Sequence, residues 1–365
     1  MKFDQFDLKS SFRDARDEGI GSSLSSSHTE PLTPSFLLKG RREALQHFLS
    51  APLAYPAQGG SAELKHAASS FAGGGTDAEI ILCNGADDGI VLTCLGLLSA
   101  GDRMIVQTPS YQAWTGIPRA LGCVVEFWRA EPEDKWRPDL EKLARLLRRG
   151  PRPRAVVIST PCNPTGFAFD RAGMDEIRAM TEHHGCLLVI DNVHSFSGSD
   201  CSPIPMNQIS LGSCSKALGL PGLRLGWIIT GSADLSASLD RVQSYLGTYM
   251  HPAAELLGPL AFSSASQILE RSKRIVDRNL RLIDAFMEER SESFGWVRPM
   301  EGCVALIECL REDATRLALH ASGAAGIHLA TGPAFGVSRR FFRLGFGTNL
   351  FGTSLERFND FLATR

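Results

Sequence analysis

Residues 212–227 read Gly212-Ser-Cys-Ser-Lys216-Ala-Leu-Gly-Leu-Pro-Gly-Leu-Arg224-Leu-Gly-Trp227, with one lysine between small hydroxyl residues and a glycine-rich turn that ends in arginine. A lysine attacks an aldehyde only as the neutral amine, and nearby positive charge in a partly desolvated place favours that form. Arg224 meets this need if it folds close to Lys216. Ser213, Ser215 and Arg224 then offer hydrogen bonds to a phosphate. The segment is therefore suited to hold a phosphorylated aldehyde covalently.

Size and composition limit the class of protein. The chain has 365 residues, 43% of them apolar, so it can bury a large core and more than one domain is expected. A formal charge of −2 leaves no broad basic surface for nucleic acid or anionic lipid. The nine cysteines include no Cys-x-x-Cys pair, which indicates reduced thiols, and we predict no metal site. With no membrane-spanning run and no signal peptide, we expect a cytoplasmic protein that binds neither nucleic acid nor membrane.

Short apolar runs alternate with amphipathic helical patterns in the middle of the chain. This order predicts an α/β fold with a mostly parallel sheet that is covered on both faces. In such sheets ligands bind outside the carboxyl ends of the strands. The runs that we predict as strands are Glu79–Cys83, Met104–Gln107, Ala155–Ser159, Cys186–Ile190 and Ile228–Thr230.

The pattern also divides the chain into three parts. Residues 1–40 are rich in Ser and Thr and show little periodicity at their start, so we read them as an N-terminal arm or loop that joins the small domain. Residues 41–253 form the predicted large, ligand-binding domain. Residues 254–365 form a smaller C-terminal domain, which opens with long helical segments and continues with short strands.

Polar residues follow directly after several of the predicted strands. Gly85, Ala86 and Asp87 open an apolar helix, whose free N–H groups are suited to bind phosphate. Tyr111 offers a ring that can lie on a flat ligand, and Asp191 ends an apolar strand where a carboxylate needs a cationic partner. Each also has an ordinary explanation, as a helix cap, a packed turn or a strand-end carboxylate. Their common order along the chain favours a single site.

Two further side chains have the chemistry to bind an anionic ligand. Asn163 stands in Thr160-Pro-Cys-Asn163-Pro-Thr-Gly166, where Asn-Pro and Thr-Gly are turn dipeptides, but its amide can also donate to a phenolic oxygen. Arg343 is flanked by apolar residues and is suited to bind a carboxylate by paired hydrogen bonds.

Together these motifs resemble the pyridoxal 5′-phosphate (PLP)-dependent aminotransferases of class I and II, and the turn at Gly85 resembles that of histidinol-phosphate aminotransferases. The resemblance implies PLP fold type I, the aspartate-aminotransferase-like fold. Its large domain has a mostly parallel seven-stranded sheet, and its smaller domain is α+β. It also implies a homodimer with shared active sites, in which Tyr55 reaches the cofactor phosphate of the other chain.

The same resemblance assigns roles to single residues. It makes Lys216 the residue that bonds to the PLP aldehyde and moves the substrate's α-proton, with Asp191, Tyr111 and His194 as the other catalytic residues. The implied cofactor contacts are Gly85, Ala86, Asp87, Tyr111, Asn163, Asp191, His194, Ser213, Ser215, Lys216, Arg224 and Tyr55. The implied substrate contacts are Arg343, Asn163, His28 and Thr33.

Two departures from the family pattern bear on the reaction. The family commonly has Asp-x-x-Tyr where this chain has Asp191-Asn-Val-His194, and His194 is either a proton carrier and donor or a packed histidine. The arm reads His28-Thr-Glu-Pro-Leu-Thr33-Pro where many relatives carry Asn-Glu-Asn-Pro-Tyr-Gly-Pro. We therefore expect an altered substrate pocket.

Amino transfer from a free α-amino acid to a 2-oxo acid is the expected reaction. Residues 327–331 lack the second arginine that relatives use for histidinol phosphate, which argues against that substrate. The alternative is a PLP-dependent cyclase or a β/γ-elimination or replacement enzyme. Enzymes resembling capreomycidine synthase share the Gly-Leu-Pro-Gly-Leu-Arg turn, a serine-rich arm like Ser25–Ser27 and the missing tyrosine. A third reading is a PLP-binding sensor without catalysis, but such regulators place a winged helix before this domain and the short arm has no room for one.

Overall fold

The computed structural model describes residues 2–74, 78–197, 203–247 and 249–365. The helices are α1 Asp7–Asp17, α2 Pro34–Leu38, α3 Arg42–Ser50, α4 Ala62–Ala72, α5 Ala86–Leu97, α6 Ala113–Ala120, α7 Leu140–Arg148, α8 Arg171–His183, α9 Ala233–Leu246, α10 Pro252–Ser263, α11 Ala265–Glu289, α12 Ala314–Ala325 and α13 Phe351–Ala363. The strands are β1 Ser22–Ser23, β2 Glu79–Cys83, β3 Arg103–Thr108, β4 Val124–Arg129, β5 Ala155–Ser159, β6 Leu187–Asp191, β7 Gln208–Ser213, β8 Gly226–Thr230, β9 Phe294–Trp296, β10 Val304–Cys309, β11 Ile327–His328, β12 Ala330–Thr331 and β13 Phe341–Gly345.

The largest sheet of the described chain has seven strands in the order β2-β8-β7-β6-β5-β3-β4. Strand β8 runs antiparallel to both of its neighbours, and the other pairs are parallel. The predicted mostly parallel seven-stranded sheet is thus confirmed. Strands β4 and β7 were missed by the pattern, since β4 is a partly exposed edge strand and β7 contains Gln, Ser and Gly, which are not typical of a strand.

Successive residues of the central strands point to opposite faces of the sheet and pack into different hydrophobic cores. Met104 and Val106 of β3 pack with Leu92 of α5 and Leu239 of α9 on one face. Ile105 points to the other face, where α7 and α8 cover the sheet. Because both faces are buried, the open edges for a ligand are the strand ends.

The small domain has its own antiparallel sheet, ordered β12-β13-β10-β9. Helices α11, α12 and α13 contribute apolar residues to the core of this sheet. Helix α10, which the sequence placed with this domain, instead packs Leu257 and Ala261 with Leu64 and Leu82 in the core beside the large sheet. The predicted domain boundaries stay a prediction.

The N-terminal arm is more ordered than its sequence suggested. It contains helix α1, and Ser22 and Ser23 of β1 pair in parallel with β11 of the small domain. Helix α1 has no side-chain cap at its start, and Leu8 packs with Ala334 and Phe335. Tertiary packing, rather than a local signal, therefore stabilises this helix.

The backbone of the N-terminal arm packs directly against three glycines. A Cβ on Gly345 would lie 1.7 Å from the carbonyl oxygen of Ser26, and a Cβ on Gly347 would lie 2.3 Å from that of His28. A Cβ on Gly219 would lie 2.7 Å from the carbonyl oxygen of Glu30. No other residue type fits at these three positions without moving the arm.

Across the described helices, none combines the length and apolar character needed to cross a membrane.

Candidate active site

A cavity of about 440 Å³ opens where the carboxyl ends of β5, β6 and β7 meet the N-terminus of α5. Its volume lies in the range typical of small-molecule sites. Helix α1, the arm and β13 complete its wall. The lining residues are Leu8, Lys9, Phe12, Arg16, Ser27, Ala86, Asp87, Ile90, Tyr111, Ser159, Pro161, Asn163, Asp191, Val193, His194, Ser213, Ser215, Lys216, Pro221, Arg224 and Arg343.

Lys216 follows β7 and points its amine into this cavity. Its Nζ donates to Ser27 Oγ at 2.8 Å. Burial, together with the nearby positive charge of Arg343, lowers the pKa of Lys216 to about 8. The sequence had suggested Arg224 as the cation responsible, whereas the structure has Arg343 in that role. The amine therefore becomes neutral and nucleophilic at a much lower pH than that of an ordinary lysine.

One end of the cavity has the features of a phosphate site. Helix α5 begins at Ala86, and Gly85 before it provides no side-chain cap, so the first N–H groups of the helix are free to bind an anion. Gly85 has φ 85°, and a Cβ there would lie 2.2 Å from Arg224 Nη2. Arg224 itself has φ 52°, a conformation that few non-glycine residues adopt. Ser213 and Ser215 add two buried hydroxyls, 2.9 Å apart.

Asp191, the last residue of β6, is buried at the base of the cavity. Trp114 Nε1 donates to its Oδ2 at 2.8 Å, and the backbone N–H of Val193 donates to its Oδ1 at 3.2 Å. Burial raises the pKa of Asp191 because these neutral donors only partly replace water. A protonated ring nitrogen in the cavity would provide the cationic partner that this carboxylate needs.

His194 lies buried beside the same cavity, and its Nδ1 has no hydrogen-bond partner among the described residues. Burial and the charges of Lys216 and Arg343 lower the pKa of His194 well below its ordinary value, so the ring is neutral. An unpaired buried nitrogen on a cavity wall favours a role toward a ligand over simple packing.

Arg343 of β13 is held by neutral acceptors. It donates from Nη1 to Asn163 Oδ1 at 2.8 Å and from Nη2 to the carbonyl of Ser25, while its Nε has no partner among the described residues. Its guanidinium lies over the ring of Phe335 at 4.9 Å. Burial lowers the pKa of Arg343 to about 10, so it remains a cation near neutral pH. A buried, uncompensated cation of this kind is suited to bind a carboxylate.

Tyr111 and Asp87 form a further wall beneath helix α1. Tyr111 donates from its hydroxyl to Asp87 Oδ1 at 2.9 Å, and burial together with Asp87 raises the pKa of Tyr111, which stays a phenol. Burial alone would raise the pKa of Asp87, but the hydrogen bonds from Lys9 and Tyr111 and the charge of Lys9 lower it. Lys9 thereby ties α1 to the start of α5 with a contact of 2.7 Å.

Of the residues suggested by the sequence, four are not among those that line the cavity: Gly85, which directly precedes the lining residue Ala86, and His28, Thr33 and Tyr55. His28 turns its ring to the backbone carbonyl of Thr29, Thr33 bonds to Ser35 at 2.7 Å on the surface, and Tyr55 is 86% exposed against the ring of Tyr249. The sequence analysis did not identify Ser27, Trp114 or the cavity-facing side of α1 as parts of the site. Each of them lies far along the chain from the residues that it contacts there. The serine-rich arm was the one visible signal among them.

Comparison with known proteins adds independent information. The family model described as "Aminotransferase class I and II" matches residues 37–351. Capreomycidine synthase of Streptomyces vinaceus is 27% identical over 274 residues, which cover 73% of this chain and 69% of that protein. A PLP-dependent aminotransferase structure from Streptococcus suis 89-1591 has 25% identity and a TM-score of 0.91, covering 100% of this chain and 99% of that one. The structure of the PLP-dependent cyclase OrfR has 25% identity and a TM-score of 0.89, covering 100% and 98%.

The fold is that of a PLP-dependent enzyme of fold type I. The chain belongs to the class I and II aminotransferase family. The predicted family, fold class and cofactor are thereby confirmed. The residues present also fit PLP, since one cavity offers an amine, an anion-binding helix start and a buried carboxylate.

Proposed function

We propose that this enzyme transfers the α-amino group of a free amino acid to a 2-oxo acid. The observation that carries the proposal is the placing of Lys216 and Arg343 in one cavity, with an amine of lowered pKa next to a buried cation that can bind a carboxylate. Bound PLP would supply an aldehyde carbon and an electron-withdrawing ring that accepts the charge developed at the substrate's α-carbon.

Each end of the cavity would hold a different part of the cofactor. The residues proposed at the phosphate are Gly85, Ala86, Asp87, Ser213, Ser215 and Arg224, which surround the start of α5. The residues proposed at the ring are Asp191, Tyr111, Asn163 and His194. Asp191 would keep a proton on the ring nitrogen because a buried carboxylate is stabilised by a cationic partner. Tyr111 would stack on the ring, and Asn163 would donate its amide N–H to the phenolic oxygen.

The chain's own groups would then position the substrate and move one proton. Arg343 would bind the α-carboxylate and so fix the direction of the α C–H bond. The neutral Nζ of Lys216 would take the α-proton, hold it as an ammonium and return it at a different carbon. Helix α1 covers the cavity with Leu8 and Phe12, which limits the access of water to these groups.

A second candidate is a cyclase or an elimination enzyme acting on an amino acid. Two observations favour it: His194 with its unpartnered Nδ1 stands where the family commonly has tyrosine, and two of the similar proteins are capreomycidine synthase and a PLP-dependent cyclase. In that case neutral His194 would be a second base beside Lys216, available to a group on the substrate side chain.

The test compares wild-type protein with Lys216→Ala and, as a control, Lys142→Ala on the surface of α7. We expect wild type and the control to take up PLP with a visible absorption band, and borohydride reduction to label Lys216. Lys216→Ala should bind PLP without covalent labelling and lose at least about 1,000-fold in activity. Retention of the covalent label in Lys216→Ala would contradict the proposal.

Product analysis separates the two candidates. Incubation with a panel of amino acids and 2-oxo acids should yield the new amino acid in a 1:1 ratio with the new 2-oxo acid if amino transfer is the reaction. Loss of a side-chain leaving group or ring closure, without amino transfer to any acceptor, would favour the cyclase or elimination enzyme.

Assembly and location are further parts of the proposal. We propose a homodimer, supported by the exposed apolar and aromatic side chains of Leu53, Tyr55 and Tyr245, which are 94%, 86% and 94% exposed in the single chain. In this dimer Tyr55 would reach the other chain's phosphate site.

The eight described cysteines are all free and buried, which supports a reducing compartment such as the cytoplasm.

A further inference from the structure

The N-terminal arm touches Lys216 at both its side chain and its backbone. Ser27 Oγ accepts a hydrogen bond from Lys216 Nζ at 2.8 Å. Two residues further on, Thr29 donates to the carbonyl of Lys216 from its backbone N–H at 3.2 Å and from its hydroxyl at 2.7 Å. The three residues 27–29 thus reach over the lysine, and the first of them, Ser27, lies next to the amine.

The position of Ser27 is fixed on both sides. On one side, Ser25 donates from its hydroxyl to the carbonyl of Arg343 and accepts from the N–H of Ala330 at 2.8 Å. On the other side, buried Thr29 holds the arm to Lys216. The arm backbone also packs against Gly345 and Gly347 so closely that a Cβ on either glycine would clash with it. The hydroxyl of Ser27 is therefore presented to the cavity by a segment that is held on both sides.

Most of the groups that act on the Lys216 amine are charged or titratable, whereas the Ser27 hydroxyl is neutral. The charged or titratable groups that act on it are Arg343, Cys303, Asp87 and Asp191, and the neutral rings of His194 and His28 lie near enough to feel its charge. Only Ser27 forms a hydrogen bond with Nζ among the described residues. A hydroxyl can accept from an ammonium and can also donate to a neutral amine, and the bond with the charged form is the stronger of the two.

We propose that Ser27 is a positioning residue, whose hydroxyl holds the amine of Lys216 in one place whenever that amine is not bonded to the cofactor. The inference rests on the proposed role of Lys216 in moving the α-proton. When Nζ takes that proton, the α C–H bond breaks, an N–H bond forms and the electron pair stays with the substrate. Ser27 gains and loses nothing in this step, and it accepts a hydrogen bond from the resulting ammonium.

The test uses three changes at Ser27 and one at its neighbour. Ser27→Ala removes the hydroxyl, Ser27→Cys keeps the size with a poor acceptor, and Ser27→Thr keeps the hydroxyl. Ser26→Ala is the matched control, because the Ser26 hydroxyl makes no hydrogen bond within the described part of the chain. Circular dichroism and thermal melting of each variant check that it is folded.

We expect Ser27→Ala and Ser27→Cys to lower kcat by about 10- to 100-fold, the lower part of the range for a proton-transfer group, with KM changed less than about threefold. Ser27→Thr should regain most of kcat, and Ser26→Ala should match wild type. The second readout needs no turnover: in the cofactor-free protein, the pH dependence of Lys216 acylation, followed by mass spectrometry, should give a lower pKa in Ser27→Ala, since the lost hydrogen bond favours the charged amine.

The proposal is overturned if Ser27→Ala equals Ser26→Ala in both kcat and the pKa of Lys216, or if Ser27→Thr is as impaired as Ser27→Ala. A wild-type protein that forms no covalent bond between Lys216 and PLP would instead remove the proposed function. These two outcomes can be told apart. The outcome against the role of Ser27 is seen with an active wild-type protein, whereas the outcome against the proposed function means that the wild-type protein is inactive.

Discussion

At the scale of single residues, the main property of the site is the lowered pKa of two basic side chains. Lys216 and His194 both have lowered pKa values, because burial and the cationic Arg343 disfavour their charged forms. Arg343 keeps its charge because its own pKa, although lowered, stays near 10. One buried cation thus does two things: it can bind a carboxylate, and it helps to keep its basic neighbours unprotonated at a lower pH.

This property predicts how cofactor uptake depends on pH. The pKa of Lys216 is lowered from 10.5 to about 8, so the amine is mostly protonated below that pH and neutral above it. Because only the neutral amine attacks the aldehyde, the rate constant for PLP uptake by the cofactor-free protein should rise from about pH 7 to about pH 9. Stopped-flow absorbance measures this rate.

Arg343→Gln provides the control for the physical cause. It removes the nearby positive charge, so the pKa of Lys216 should rise and the uptake curve should move to higher pH. An uptake rate that is flat across this range, or a curve that moves to lower pH in Arg343→Gln, would contradict the explanation.

The sequence alone can locate some residues of the site but not others. Asp191 and Asn163 were expected at one site because each stands at or just after the end of a predicted strand, and Lys216 was expected there from the motif around it. The structure brings all three to one cavity. Ser27 and Trp114 could not be found in this way. They reach Lys216 and Asp191 across 189 and 77 residues, and no local pattern encodes such a contact.

Among the elements that the sequence did not predict, helix α1 is the one that covers the cavity. Its residues show weak start signals, and it has no side-chain hydrogen bond at its N-terminus. It is stabilised by Leu8 in the cluster with Phe335, by Phe12 against His328 at 4.4 Å, and by the Lys9–Asp87 ion pair. The exposed ion pair contributes little, so the apolar contacts hold the helix over the cavity.

We therefore expect the double change Leu8→Ala and Phe12→Ala to loosen α1 without unfolding the sheet beneath it. The substrate KM should rise about tenfold, which corresponds to roughly 1.4 kcal/mol of lost binding, while covalent PLP uptake persists. Steady-state kinetics and borohydride labelling measure the two quantities. Arg13→Ala, on the exposed face of the same helix, is the control and should behave as wild type. An unchanged KM in the double variant would show that α1 does not cover the bound substrate.

The exposed apolar side chains bear on the assembly of the whole molecule. Tyr55 contacts Tyr249 at 4.9 Å, and Gln58 beside it pairs with Tyr249 and bonds to Ser244 at 3.0 Å, so these residues form one face with the end of α9. Leu53 and Tyr245 extend from it into solvent in the single chain. Burial of such a face in a second copy would remove apolar surface from water.

A charge placed on this face should prevent dimer formation. We expect wild type to sediment as a dimer, and Leu53→Glu to shift to a monomer with little activity, because burying an unpaired carboxylate in the interface is costly. Leu319→Glu is the matched control, as Leu319 is 72% exposed on α12 of the small domain. It should remain a fully active dimer. A wild-type protein that is active as a monomer in sedimentation velocity would refute the homodimer.

The arm across Lys216 also has a consequence for how the enzyme matures. Ser25 and Ser27, near the beginning of the chain, meet Arg343 and Lys216 across 318 and 189 residues. Contacts between such distant segments form late in folding, since a long loop must close first. During synthesis on the ribosome, the cavity is therefore incomplete until the last strand of the small domain has emerged. Capture of the vitamin-derived aldehyde then belongs to the finished polypeptide rather than to the nascent one.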